Sequence, residues 1–124
     1  MSKRFCWIFI IVYFTVIFSF LYFNHISHEF SPEKWKNQPE SREKITEDLF
    51  ESYEVIGMTE SEVTALLGDD YMKGEYFIDN LNDKTYDLKN NIVYYIGSYL
   101  LERIYLILHL EDGVVSGYSY GVKT

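Results

Sequence analysis

The stretch Gly57-Met58-Thr59-Glu60-Ser61-Glu62-Val63-Thr64-Ala65-Leu66-Leu67-Gly68 leaves a chain little local freedom. Thr59 followed three residues later by Glu62 spells a capping box. The threonine hydroxyl can accept the amide of Glu62, and the glutamate can reach back to the amide of Thr59. Met58 before the cap and Val63 within the first turns have the spacing of a hydrophobic staple. Val63, Leu66 and Leu67 recur at i, i+3, i+4, and Gly68 supplies the positive-φ residue that stops a helix. These signals predict one short helix from Thr59 to Leu67.

A helix this short cannot bury its own apolar face, so the neighbouring residues decide what it packs on. From Ser41, a plausible N-cap, Ile45, Leu49 and Tyr53 follow a helical spacing. Arg42, Glu43, Lys44, Glu47 and Glu51 are expected to face outward, with Glu40–Lys44 as a supporting pair. The second half reads as strands. Glu75 to Ile78 and Lys84 to Leu88 are short and flank a turn-like Asp79 to Asp83. Ile92 to Ile96 follows the Asn90-Asn91 turn and ends at Gly97. Glu102 to Leu110 is the longest strand. Ile104, Leu106, Leu108 and Leu110 share one face, opposite Arg103, Tyr105, Ile107 and His109. Glu111-Asp112-Gly113 is a hairpin turn, and Val114 to Tyr120 returns from it. Helices followed by adjacent strands predict an α+β fold, two short helices on an antiparallel sheet of three to four strands.

Ahead of this domain, Phe5 to Phe23 is an apolar run relieved only by Thr15 and Ser19. At about 1.5 Å per residue it would reach roughly 28 Å, near the ~30 Å of a bilayer core. Lys3 and Arg4 precede it, and no small-residue cleavage site follows it. The pattern predicts an uncleaved signal-anchor, a single transmembrane helix with a cytoplasmic N-terminus and an external C-terminal domain. The expected organisation is 1–4 cytoplasmic, 5–23 spanning, 24–40 linker and 41–124 external domain. In the linker, Phe30 is expected at the membrane interface and Trp35 at the domain edge. The single cysteine, Cys6, lies in the apolar run, so packing alone must stabilise the domain. A net charge of −8 gives no electrostatic basis for nucleic-acid binding.

Little in the chain suggests catalysis. His25, His28 and Glu29 have a metal-like spacing but lack further ligands nearby, and read as interfacial polar residues. His109 reads as an edge or outer-face residue rather than a base. The Asp79-Asn80-Leu81-Asn82-Asp83 run puts Leu81 where a calcium loop needs oxygen, so it reads as turn chemistry. Phosphate loops and nucleophile elbows are missing from the sequence, and no cofactor or small-molecule substrate is indicated. The chain holds 12 tyrosines, several of them in the strand region. Alternation must send some inward, while outward ones suit a protein interface. Tyr94, Tyr99, Tyr105, Tyr118 and Tyr120 are therefore the candidate interaction surface.

The pattern Arg42…Asp48-Leu49…Gly57-Met58-Thr59-x-x-x-Val63-x-x-Leu66-Leu67-Gly68 resembles the two-helix signature of the SmpA/OmlA-type lipoprotein domain. Tyr95 and Gly97, then Leu106 to Val115, are similar to its later strands. That family is the small lipoprotein component of the β-barrel assembly machinery, with an outline shared by β-lactamase-inhibitor-protein-like domains. The resemblance implies a helix-helix-sheet sandwich acting by protein contact. Its lipobox cysteine and the proline after the helix-ending glycine are absent here, with Asp69-Asp70-Tyr71 in place of the latter. The expected function is a membrane-anchored, non-catalytic interaction module for another envelope protein. An inhibitor or immunity-type protein is the alternative. Gly57, Met58, Thr59, Glu62, Val63, Leu67 and Gly68 form a fold signature rather than a site. Replacing Thr59 by Ala should cost about 1 kcal/mol in urea unfolding through the lost cap; unchanged stability would show that the cap contributes nothing.

Overall fold

The computed structural model describes residues 3–124, with side chains of the first helix described for residues 6–21 and from His28 onward. Four α-helices precede five strands: α1 (Lys3–His28), α2 (Pro32–Asn37), α3 (Arg42–Ser52) and α4 (Glu60–Leu67), then β1 (Tyr76–Asp79), β2 (Lys84–Asp87), β3 (Asn91–Tyr99), β4 (Glu102–Glu111) and β5 (Val114–Lys123). The strands form a three-stranded antiparallel sheet, β3-β4-β5, and a separate two-stranded ribbon, β1-β2. Asp112 (φ 54°) and Gly113 (φ 77°) make the tight turn between β4 and β5 that the sequence predicts.

Alternation along the strands builds two cores on opposite faces of the sheet. Ile92, Tyr94, Ile96, Leu106, Leu108 and Val115 meet Trp35, Ile45, Leu49, Val63 and Leu67 from the helices. On the reverse face Val93, Tyr105 and Ile107 meet Phe77 of the ribbon. The expected split of β4 into two faces holds. The sheet is thus the middle of three layers, covered by helices on one side and the ribbon on the other.

The helix from the capping-box stretch forms as Glu60–Leu67, with Thr59 as N-cap accepting the Glu62 amide at 3.3 Å. The reciprocal half differs from the expectation. Glu62 takes the Thr59 hydroxyl at 3.1 Å, while the Gly57–Thr59 segment pairs with the start of β5. Gly68 ends the helix at φ 94°, a backbone that disfavours any residue with a Cβ, and its amide bonds to the Thr64 carbonyl at 2.8 Å.

The stretch 24–40 is not the linker expected. Helix α1 runs to His28, and Ser31 caps α2 by accepting the Lys34 amide at 3.1 Å, with Pro32 in the first turn. Trp35 and Phe30 are buried in the helix-side core rather than placed at a domain edge or a membrane interface. The Phe30 amide donates to the Asp48 carboxylate at 2.6 Å, tying this segment to α3. Ser41 makes no side-chain cap; a 3-10 turn over Pro39–Ser41 leads into α3 instead. Glu40 accepts from the hydroxyls of Tyr95 and Ser98.

The transmembrane reading is also corrected. Among the described residues no helix is long and apolar enough to cross a membrane. The single span, the signal-anchor, and the cytoplasmic N-terminus with an external domain all rested on that reading and fall with it. The side chains of Trp7 to Leu21 that are large and apolar are exposed.

The ribbon is fastened to the sheet by Asp79, a buried carboxylate. It accepts the amides of Leu81 (2.9 Å), Asn82 (3.4 Å) and Val122 (3.1 Å), and the Asn82 side-chain amide at 2.7 Å. Burial works to raise its pKa, but these bonds outweigh it and hold the carboxyl below the ordinary range. Gly121 makes the fit possible. A Cβ there would stand 3.0 Å from Ile107, 3.1 Å from Phe77 and 3.2 Å from the Asp79 carboxyl carbon.

Arg42 departs most from its expected place. Predicted to face outward, it is only 1% exposed. Its Nε donates to the Trp35 carbonyl at 2.6 Å, one terminal nitrogen to the Tyr95 carbonyl at 2.9 Å, and the other to Asp70 at 2.6 Å. The guanidinium carbon lies 5.1 Å from the Trp35 ring centroid, a cation–π distance. One side chain therefore joins α2, α3, β3 and the loop after α4. Arg42→Ala should lower unfolding stability by about 3 kcal/mol, since two carbonyls lose their donor. Asp70→Asn should cost less, because Asp70 is 49% exposed and water can replace its partner. Urea titrations of both variants check the order; equal small losses would remove Arg42 from its central role.

Candidate interaction surface

The five candidate tyrosines do not form one surface. Tyr94 is buried, and its hydroxyl donates to the Gly68 carbonyl at 2.8 Å, so the sheet grips the end of α4. Burial, with Asp70 nearby, pushes its phenol well above the ordinary value. Tyr105 is buried on the ribbon side, its ring 4.9 Å from that of Phe77 and 5.8 Å from that of Tyr95. These two are core residues. Tyr99 stands at the far end of the sheet, 69% exposed, beside Leu100 and Leu101 at 87% and 93%. Leu100 there has φ 56°, so the hairpin holds an exposed leucine in a backbone that glycine or asparagine usually occupies.

Tyr118 and Tyr120 remain together. The register puts them opposite Leu108 and Leu106, on the helix-side face of β5, and each is 41% exposed. Phe50 of α3 stacks on Tyr118 with centroids 3.9 Å apart and planes 12° apart. Tyr120 meets Tyr118 edge-on at 6.0 Å. The result is an aromatic row where α3 crosses the outer strand of the sheet. Its border is acidic. Partial burial raises the Tyr120 phenol pKa, and the neighbouring Tyr118, Glu47 and Glu43 add to the shift. Among the described residues Glu43 and Glu47 have no ion-pair partner.

Three other places were weighed from the sequence. The His25 side chain lies outside the described residues, while His28 and Glu29 line a shallow groove of about 240 Å³ with Lys44, Glu47, Asp48 and Glu51. Among the described residues no cluster of histidine, cysteine, aspartate or glutamate could hold a metal ion. The 79–83 run folds as the Asp79 turn already described. Sequence reasoning missed a second groove, of about 350 Å³, between Glu40, Asp70, Met72, Tyr95, Arg103 and Tyr105. Its members come from distant parts of the chain, so no local signal could have grouped them. The Tyr95 hydroxyl bonds to Glu40 there, which raises the phenol pKa.

His109 is held between two strands. Its Nδ1 lies 2.7 Å from the Asn91 side-chain oxygen and its Nε2 2.9 Å from the Ser119 hydroxyl. A neutral ring satisfies both, with Nδ1 donating and Nε2 accepting. Tyr86 of the ribbon covers it, ring centroids 5.5 Å apart. The three polar side chains cross β3, β4 and β5 at neighbouring register positions and clip the strands together.

No family model, curated protein or solved structure matches this chain, so nothing in those comparisons identifies an SmpA/OmlA-type domain.

Burial, with Lys84 nearby, lowers the His109 pKa. A depressed histidine pKa contributes stability above its unfolded value of about 6.5, and that contribution disappears as pH falls through the folded value. Between about pH 7.5 and 5, the urea midpoint should therefore fall further for the wild type than for His109→Gln. Equal falls would show that the clip does not titrate.

Proposed function

We propose that this protein is a non-catalytic protein-interaction module and that it docks a partner through the α3–β5 face. The observation that carries the reading is the row Phe50–Tyr118–Tyr120, two of whose rings stay 41% exposed although both cores of the domain are filled without them. Tyrosine in such a position offers a large, rigid contact area at low cost in side-chain entropy. The acidic border adds the polar rim that interfaces carry. Acting by protein contact is also what the SmpA/OmlA resemblance implies.

Site-specific photo-crosslinking tests the proposal on the full chain. A photoreactive phenylalanine at Tyr118 should capture a discrete partner in the cells that make the protein, and Tyr120→Ser should reduce that product. The same group at Tyr76, exposed on the ribbon, should not capture it. Identical products from positions 118 and 76 would refute the assignment of this face.

A further inference from the structure

We infer that the segment recognised by the α3–β5 face is basic, a stretch of lysine and arginine laid in extended form along α3; this rests on the interaction reading above and names its partner's chemistry. Along α3, Glu43, Glu47 and Phe50 follow at i, i+4 and i+7, so the two carboxylates and the ring lie on one side of the helix. On that side Phe50 stacks on Tyr118, which meets Tyr120 edge-on, and the Glu43 carboxylate lies beside Gly97 of β3. Glu47 also lines the groove that continues with Glu29, Asp48 and Glu51, where Lys44 and His28 are the basic members beside the four acidic ones. The acidic surface is therefore continuous through Glu47, from that groove to the aromatic row.

Most of this charge is uncommitted. Asp48 is occupied by the Phe30 amide and the Ser52 hydroxyl. Among the described residues, Glu43, Glu47 and Glu51 take part in no ion pair. A net charge of −8 favours a cationic partner at long range as well. At close range Tyr120 and Tyr118, one face of which Phe50 covers, offer partly exposed aromatic surface to a guanidinium or ammonium group. A metal ion is a poor occupant, because the described carboxylates converge on no common point. An extended peptide suits the dimensions: α3 is 11 residues long, about 16 Å at 1.5 Å per residue, a span matched by about five strand residues.

The test uses the full chain and a dye-labelled synthetic peptide of alternating Lys-Gly-Arg-Leu composition, followed by fluorescence anisotropy. The basic peptide should bind at least about tenfold more tightly than its glutamate analogue. The pair Glu43→Gln and Glu47→Gln should weaken it by about fivefold or more, and Tyr118→Ser with Tyr120→Ser should weaken it comparably. Glu102→Gln with Glu111→Gln, which removes the same charge from exposed positions on β4, should have little effect. Circular dichroism of each variant confirms that it is folded, and Glu43→Lys with Glu47→Lys should transfer preference to the acidic peptide. Equal weakening by the β4 pair would overturn the inference, since the attraction would then be general. So would binding of spermine as tight as that of the peptide, which would remove the need for a polypeptide. If the basic peptide fails while the product from position 118 persists, the partner's chemistry is wrong and the interaction face stands. Loss of both removes both.

Discussion

The buried guanidinium of Arg42 is the interaction on which the helical layer depends. A charge 1% exposed is tolerable only when its donors are met, and here two backbone carbonyls, a carboxylate and an indole face meet them. The partners come from three different parts of the chain. Trp35 belongs to α2, Tyr95 to β3 and Asp70 to the loop after α4. The planar fork of arginine can serve these directions at once, which a lysine ammonium cannot do in the same geometry. The position of α3 over the sheet follows from it, and with α3 the position of Phe50 beside Tyr118.

Asp79 performs the corresponding task on the opposite face. Its four accepted hydrogen bonds join the end of the ribbon to β5, and Gly121 leaves the room in which they form. Both faces of the sheet are thus closed by an apolar core with one buried ionic residue at its margin. With the faces closed, exposed aromatic area on the folded layers is confined to a few places. Tyr99 with its two leucines occupies one and the Phe50–Tyr118–Tyr120 row another. At the second, ring contacts join α3 to β5 beside Glu43 and Glu47, and for that reason it carries the functional reading.

Several elements were legible because their causes are local. The cap at Thr59, the glycine at 68, the turn at Asp112-Gly113 and the two faces of β4 depend on residues a few positions apart. The stretch that holds α2 reads as linker in the sequence, although Ser31-Pro32-Glu33 carries a cap, a first-turn proline and an acidic first turn. The candidate site was only partly legible. Period-two alternation places Tyr118 and Tyr120 on one face, and Phe50 lies on an amphipathic helix, but nothing local says that the two elements cross there. The spanning role read from the apolar run near the N-terminus does not hold, since among the described residues no helix is long and apolar enough to cross a membrane.

The sequence by itself determined where the short helix begins and ends and where the long hairpin turns, because caps, turns and alternation are set by neighbours within one or two turns of chain. Only the tertiary structure decided which polar and aromatic residues are inside. Arg42 looks like a surface residue on its own helix, and Tyr94 and Tyr105 look like their neighbours on their strands. Whether a side chain meets water depends on what another layer lays over it. That is a property of contacts between residues distant in sequence, such as Tyr94 with Gly68 or Arg42 with Tyr95, and no local pattern encodes it.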